Sequence, residues 1–156
     1  MFLTENEVTM KVFITQDDEL TDISVEIHCR EISTDVKKLE KFISNYEERI
    51  KGKFEGETIY IDVNDILYFE SVDNTTFMYT EDKILTSTLR LYEIEERLSS
   101  KDFFRCSKSV VVNVGKIIKL KPELTRNIVA TLCNDEIVVI SRRYTAAFKK
   151  LLSLED

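Results

Sequence analysis

The 156-residue sequence has few of the residues that break or cross-link a chain: three glycines, one proline and three cysteines. Glycine and proline this scarce exclude collagen-like and low-complexity classes. Cys29, Cys106 and Cys133 are odd in number and far apart, with no C-x-x-C pair. That spacing speaks against a disulfide framework or a zinc knuckle and for reduced thiols. No apolar run approaches the ~20 residues of a membrane helix. The first ten residues carry Glu5 and Glu7 instead of a basic start and an apolar core, so they are no signal peptide. A cytoplasmic location is the expectation. His28 is the single histidine, and alternation sets it on the polar face of its segment. Gly-rich phosphate loops, H-E-x-x-H and G-x-S-x-G are absent. The expectation is no enzyme, no catalytic residue, no metal site and no cofactor.

What is present is 43% hydrophobic and 33% charged, the composition of a globular chain. The length allows one domain, or a small domain with an appendage. Net charge is −7, which taken whole argues against a coat of positive charge for nucleic acid. The charge is unevenly spread, however. Residues 1–56 hold 13 acids and 8 bases, 57–100 hold 10 and 3, and 101–156 hold 6 and 11. A positive excess in the last third is a hint of an anionic partner there.

Residues 11–15 (KVFIT) and the alternating stretch Ile23, Val25, Ile27, Cys29 read as an antiparallel strand pair around the acidic turn at residues 16–20. Val36, Leu39, Phe42, Ile43, Tyr46 and Ile50 recur at helical spacing, with Ser33 or Thr34 as N-cap and Gly52 as stop. The first 50 residues therefore read as β-β-α, and 51–57 (KGKFEGE) as a linker. Over 58–156, short β-rich segments alternate with turn pairs: strands at 58–63, 66–71, 76–80, 83–86, 103–106, 109–113, 117–120, 128–132 and 136–140. Leu89, Leu91, Ile94 and Leu98 mark one helix, with Ser87 or Thr88 as cap; Tyr144, Phe148, Leu151 and Leu152 mark a last one, for which Ser141 is the expected cap. The fold class is mainly β with α (α+β), a sandwich or rolled sheet.

Four segments carry a specific pattern in their order and spacing: Ile66–Ser71 (ILYFES), Leu89–Leu98 (LRLYEIEERL), Phe103–Asn113 (FFRCSKSVVVN) followed by Ile117, and Ile140–Tyr144 (ISRRY). Together, over about two thirds of the chain, they resemble the LytTR family of bacterial DNA-binding domains. The resemblance implies a sheet-rich domain, often described as ten-stranded, whose loops enter successive major grooves of bent DNA. It implies one contact region at Asp73–Thr76, with Asn74 and Thr76. A second lies at Ser107, Lys108 and Ser109, where Lys108 departs from the asparagine frequent in the family. A third is Arg142 and Arg143, with Arg143 at the position of the family's base-reading arginine. These residue types suit DNA recognition, since Arg pairs bidentately with guanine, and Lys and hydroxyls hold phosphates or base edges. Two cations at a helix start oppose the helix dipole, which points to a role other than stability. Lys116, with Lys119 and Lys121, reads equally as an extension of the phosphate footprint or as solvated surface lysines. Arg105, within a strand, reads equally as an internal strut, and Asn113 as a structural residue. The aromatic set Tyr68, Phe69, Phe77, Tyr79, Phe103, Phe104 reads as core, not as a base-stacking platform.

The resemblance also implies a stand-alone regulator, with the β-β-α region where other members carry a phosphoreceiver. Such regulators are commonly paired with a restraining membrane protein. A 50-residue unit buries little core alone, so it must dock on the main domain, a second copy or a partner. The reading is a sequence-specific double-stranded DNA-binding transcriptional regulator that acts as a homodimer on repeated sites and takes no small-molecule substrate. Two alternatives stay open: an interaction or sensory module without strong DNA binding, and a small enzyme using Cys106 or Cys133.

Overall fold

The computed structural model describes residues 9–46, 48–99 and 101–153. Residues 9–33 pass through without helix or strand; the first element is helix α1 (Thr34–Ser44). Ser33 caps it, its hydroxyl accepting the Val36 N–H at 3.3 Å. The chain leaves at Asn45, not at the expected Gly52. Ten strands and two more helices follow among the described residues: β1 (Arg49–Phe54), β2 (Glu57–Asp62), β3 (Tyr68–Val72), β4 (Thr75–Tyr79), β5 (Ile84–Ser87), α2 (Leu91–Arg97), β6 (Phe103–Arg105), β7 (Val110–Asn113), β8 (Ile117–Pro122), β9 (Ile128–Leu132), β10 (Ile137–Ile140) and α3 (Arg142–Ser153).

All pairings are antiparallel. Seven strands form one sheet in the order β2-β1-β5-β4-β3-β7-β6, and three form a second, β10-β9-β8. The period-2 alternation of a strand sends successive side chains to opposite faces, so the larger sheet carries a core on each side. Phe69, Met78, Leu85, Phe103 and Val111 meet Leu91, Ile94 and Leu98 of the α2 region on one face. Val112 and Leu67 meet Ile128, Ala130, Leu132, Val138, Ile140 and Phe148 of the smaller sheet and α3 on the other. The molecule is thus layered: α2, the seven-stranded sheet, then the three-stranded sheet with α3. Four of the six expected core aromatics pack in or against the two cores, with Phe104 5.3 Å from Phe148, Phe69 6.0 Å from Phe103 and Tyr68 stacked on Tyr79 at 4.2 Å; Tyr79 and Phe77 are half-buried on strand faces outside both cores.

The expected linker is not one. Residues 51–54 lie inside β1, Glu55-Gly56 make its turn, and Glu57 opens β2. Gly52 sits there because a Cβ would come within 2.7 Å of Met78 Cε and 3.0 Å of Leu85. The β-β part of the N-terminal expectation also fails over the described residues. Neither 11–15 nor 23–29 has a ladder partner, and Ile14, Ile23 and Val25 are 95%, 93% and 58% exposed. An alternating pattern lowers the free energy only where another strand or layer covers its apolar face. Residues 1–8 lie outside the described residues. α1 itself buries no residue and is held by polar contacts: Lys41 Nζ to Asp102 at 2.8 Å, Lys101 to the Ser44 carbonyl, and Asn45 to Asn64.

Candidate nucleic-acid interface

Three exposed turns gather along one margin of the larger sheet and the start of α3. β3 and β4 are joined by a two-residue turn, Asp73-Asn74, with φ of +48° and +63°. Asp and Asn tolerate this left-handed pair best after Gly, and it matches the twist of a hairpin. The end of β3 is tied to the loop before β7, because the Ser71 N–H donates to the Ser109 carbonyl at 2.8 Å. That loop in turn touches the start of α3, where the Ser141 N–H donates to the Cys106 carbonyl at 2.8 Å. The end of β3 before the Asp73-Asn74 turn, the loop between β6 and β7 and the residue before α3 are therefore linked by backbone hydrogen bonds although far apart in sequence. Lys108, Asn74, Arg142 and Arg143 are exposed; Ser107 and Ser109 are half-buried. A shallow cleft lined by Tyr68, Glu70, Ser107, Val110, Val139 and Ser141 lies between the loop and the helix start.

Thr76 does not belong to this margin. It is the second residue of β4, paired with Ser71 and Ser87, and only 3% exposed. The turn is shorter than expected, so the strand starts at Thr75, and alternation puts Thr76 on the face of Met78 toward α2. Lys116 follows β7 at its far end, half-buried, and its carbonyl accepts from Cys133 N–H. The structure does not bring it to the Lys108 loop. Asn113 is structural: its amide donates to the Ile66 carbonyl at 2.9 Å and its Oδ1 accepts from Gly115 N–H.

The helix start is built differently from the expectation. The Arg142 N–H is taken by the side chain of Asn127 at 2.8 Å, so a residue from the β8–β9 connection supplies the acceptor expected from Ser141. The only sequence signal for Asn127 was its place in a polar turn. The first turn of α3 has no acidic residue, which leaves the helix dipole and both guanidinium groups adding in the same sense. Arg105 is pinned within the fold, its Nε donating to the Ser107 carbonyl at 2.7 Å and another nitrogen to Glu95 at 3.2 Å.

Cys106 and Cys133 do not fit nucleophiles. Burial pushes the Cys106 thiol up to about 12. Cys133 is raised as well, by partial burial and by its contact with Glu81 at 3.5 Å. A nucleophilic thiol requires a depressed value. His28 is exposed, 3.3 Å from an equally exposed Glu26.

The family model of the LytTr DNA-binding domain matches residues 56–153. The chain belongs to the LytTR family. This is a family of DNA-binding domains, not of enzymes. A domain from a Bacillus cereus protein, named as the LytTr DNA-binding domain of a methyl-accepting/DNA response regulator, shares the fold. Its TM-score is 0.64 and its identity 29%, and the match covers 67% of this chain and 95% of that one. A Staphylococcus aureus protein named as an HTH-type transcriptional regulator is 27% identical over 93% of this chain and 98% of its own length. The transcriptional regulatory protein YpdB of Escherichia coli is 31% identical over 59% of this chain and 38% of its own. The helix-turn-helix of the staphylococcal name has no counterpart here: among the described residues, strands separate the three helices. No helix of the described residues is long and apolar enough to cross a membrane.

Proposed function

We propose that this LytTR protein is a transcriptional regulator that binds double-stranded DNA sequence-specifically through the margin formed by Asn74, Ser107–Ser109 and Arg142–Arg143. The observation that carries this reading is the pair of backbone hydrogen bonds, Ser71 to Ser109 and Ser141 to Cys106, which bring together the elements that carry Asn74, Lys108 and the Arg142-Arg143 pair. In this reading Arg143 reads a base edge in a major groove, Arg142 and Lys108 hold phosphates or guanine, and Asn74 and the two serines complete the footprint. Thr76 is left out because it is buried, and Lys116 because it lies at the other end of β7. The acidic remainder of the chain limits non-specific binding, so the small basic margin finds its site by base contacts.

The proposal extends to a homodimer on repeated sites in the cytoplasm. The exposed apolar residues of 9–33 support a protein contact there, either with a second copy or with a restraining partner. Two modules held together gain avidity without any new DNA contact.

The test is titration of duplex DNA at several salt concentrations. Specific binding should weaken linearly in log–log form, because neutralised phosphates release counterions. Arg143→Ala should abolish sequence preference and leave the circular dichroism unchanged. Absence of duplex binding at low salt would instead favour an interaction module.

A further inference from the structure

We infer that Arg105 is a positioning residue for DNA recognition, which shapes the Ser107–Ser109 loop from behind without touching the duplex. The inference rests on the DNA reading above and concerns how the second contact turn is held.

Arg105 closes β6, pairs with Val111, and shares a strand face with Phe103, the face that looks toward α2. From there its guanidinium reaches three acceptors. Nε donates to the Ser107 carbonyl at 2.7 Å, one terminal nitrogen donates to the Lys108 carbonyl, and the other lies 3.2 Å from Glu95 on α2. The side chain is 20% exposed, and Glu95 48%. The loop has no glycine or proline to set its course. Its other ties include the Cys106 and Ser107 amides and the Cys106 thiol to the Val110 carbonyl, the Ser109 amide to Ser107 Oγ, Ser71 N–H to the Ser109 carbonyl and Ser141 N–H to the Cys106 carbonyl. Two consecutive carbonyls drawn to one cation turn that side of the loop inward, and the Lys108 side chain is left on the exposed side.

A planar fork with donors at fixed directions on three nitrogens spans two carbonyls and a carboxylate in set positions; an ammonium offers its three donors from one point on a flexible stem and holds them less firmly. Three of its five N–H donors are engaged toward the loop and α2, and at 20% exposure the guanidinium presents little of itself to a phosphate. Its contribution is to hold the loop in one shape before binding, which spares the complex the cost of ordering it.

The experiment uses the full chain and a duplex enriched from a random-sequence library by the wild-type protein. Arg105→Lys should weaken specific binding about three- to tenfold, the range for losing one ordered side chain's preorganisation. In wild type, Lys108→Ala should cost fivefold or more, about the low end for a base or phosphate contact. In the Arg105→Lys background the same change should cost less than about twofold, because the two residues act through one loop. Hydrogen exchange at residues 107–109 of the free protein should speed up in Arg105→Lys. Arg105→Gln, which loses the charge, should keep the wild-type salt slope. A slope reduced by about 0.9 would mean a direct phosphate contact and would overturn the inference. Additive effects of Arg105→Lys and Lys108→Ala would overturn it too. Should either Arg105 variant fail to fold, Glu95→Gln loosens the same anchor from α2 and should give a smaller loss with the same coupling to Lys108. A wild-type chain that retains no duplex would instead defeat the DNA reading itself.

Discussion

Ile23–Cys29 and Ile128–Leu132 carry the same kind of alternating pattern, yet only the second is a strand. In β9, Ile128, Ala130 and Leu132 are buried between β8 and β10 and under α3. In the N-terminal stretch, Ile23 and Val25 are exposed and have no ladder partner among the described residues. An alternating pattern describes a surface that can be half-buried; a neighbour of the right shape makes it a strand. Within the family domain both neighbours are supplied by the same chain at short sequence distance. The N-terminal stretch has no such neighbour among the described residues, which is why a second copy or another protein is the proposed cover.

This contrast can be broken most forcefully in the core. Leu132→Ala should cost about 2–5 kcal/mol, because a fully buried side chain leaves a cavity between two sheets. Val25→Ala should shift urea unfolding of the monomer by less than about 0.5 kcal/mol. A large effect of Val25→Ala at dilute concentration would show that the stretch is already covered within one chain. Next in size is alkaline destabilisation through Cys106. Its folded value is about 12 against 9.0 for the free thiol, so the unfolded chain loses its proton first as pH rises. Stability is therefore intact below pH 9 and falls between about 9 and 12, by at most ~1.4 kcal/mol per pH unit from this thiol. Cys106→Ala should reduce that slope in unfolding curves without abolishing it, since Cys133, Tyr68 and Tyr79 are raised as well, whereas a change at the exposed Cys29 should leave it untouched.

Gly52→Ala should cost about 1–3 kcal/mol, because the new methyl meets Met78 and Leu85. It also tests whether residues 51–54 are a packed strand or a free connector, since a connector would tolerate it. The smallest effect is at the helix start. Asn127→Ala removes the acceptor for the Arg142 amide and should lower stability by about 1 kcal/mol. It should also weaken DNA binding with an unchanged salt slope, while Ser141→Ala should do neither.

The sequence by itself determined most of the sheet domain. The positions of β9, β10 and α3 follow within a residue or two from alternation, helical spacing and turn pairs such as Asn134-Asp135, all of which are local; α2 starts later than its expected cap at Ser87 or Thr88, because β5 runs on to Ser87 and Arg90 takes the N-cap position. Ser33 was readable as a cap because the acceptor and the amide it serves are three residues apart. Family membership was readable from four short segments. Tertiary structure alone decided the rest. Thr76 fell from the candidate contact set because strand parity turned it inward, and parity depends on one residue of turn length. Lys116 was separated from Lys108 by the length of β7. Asn127 and Arg105 gained their roles from partners that only the folded chain presents. In each case the deciding contact joins groups whose relation depends on pairing register and layer packing. A pattern along the chain specifies which side chains can be buried, and the fold specifies which face, against whom, and which donors remain for a ligand.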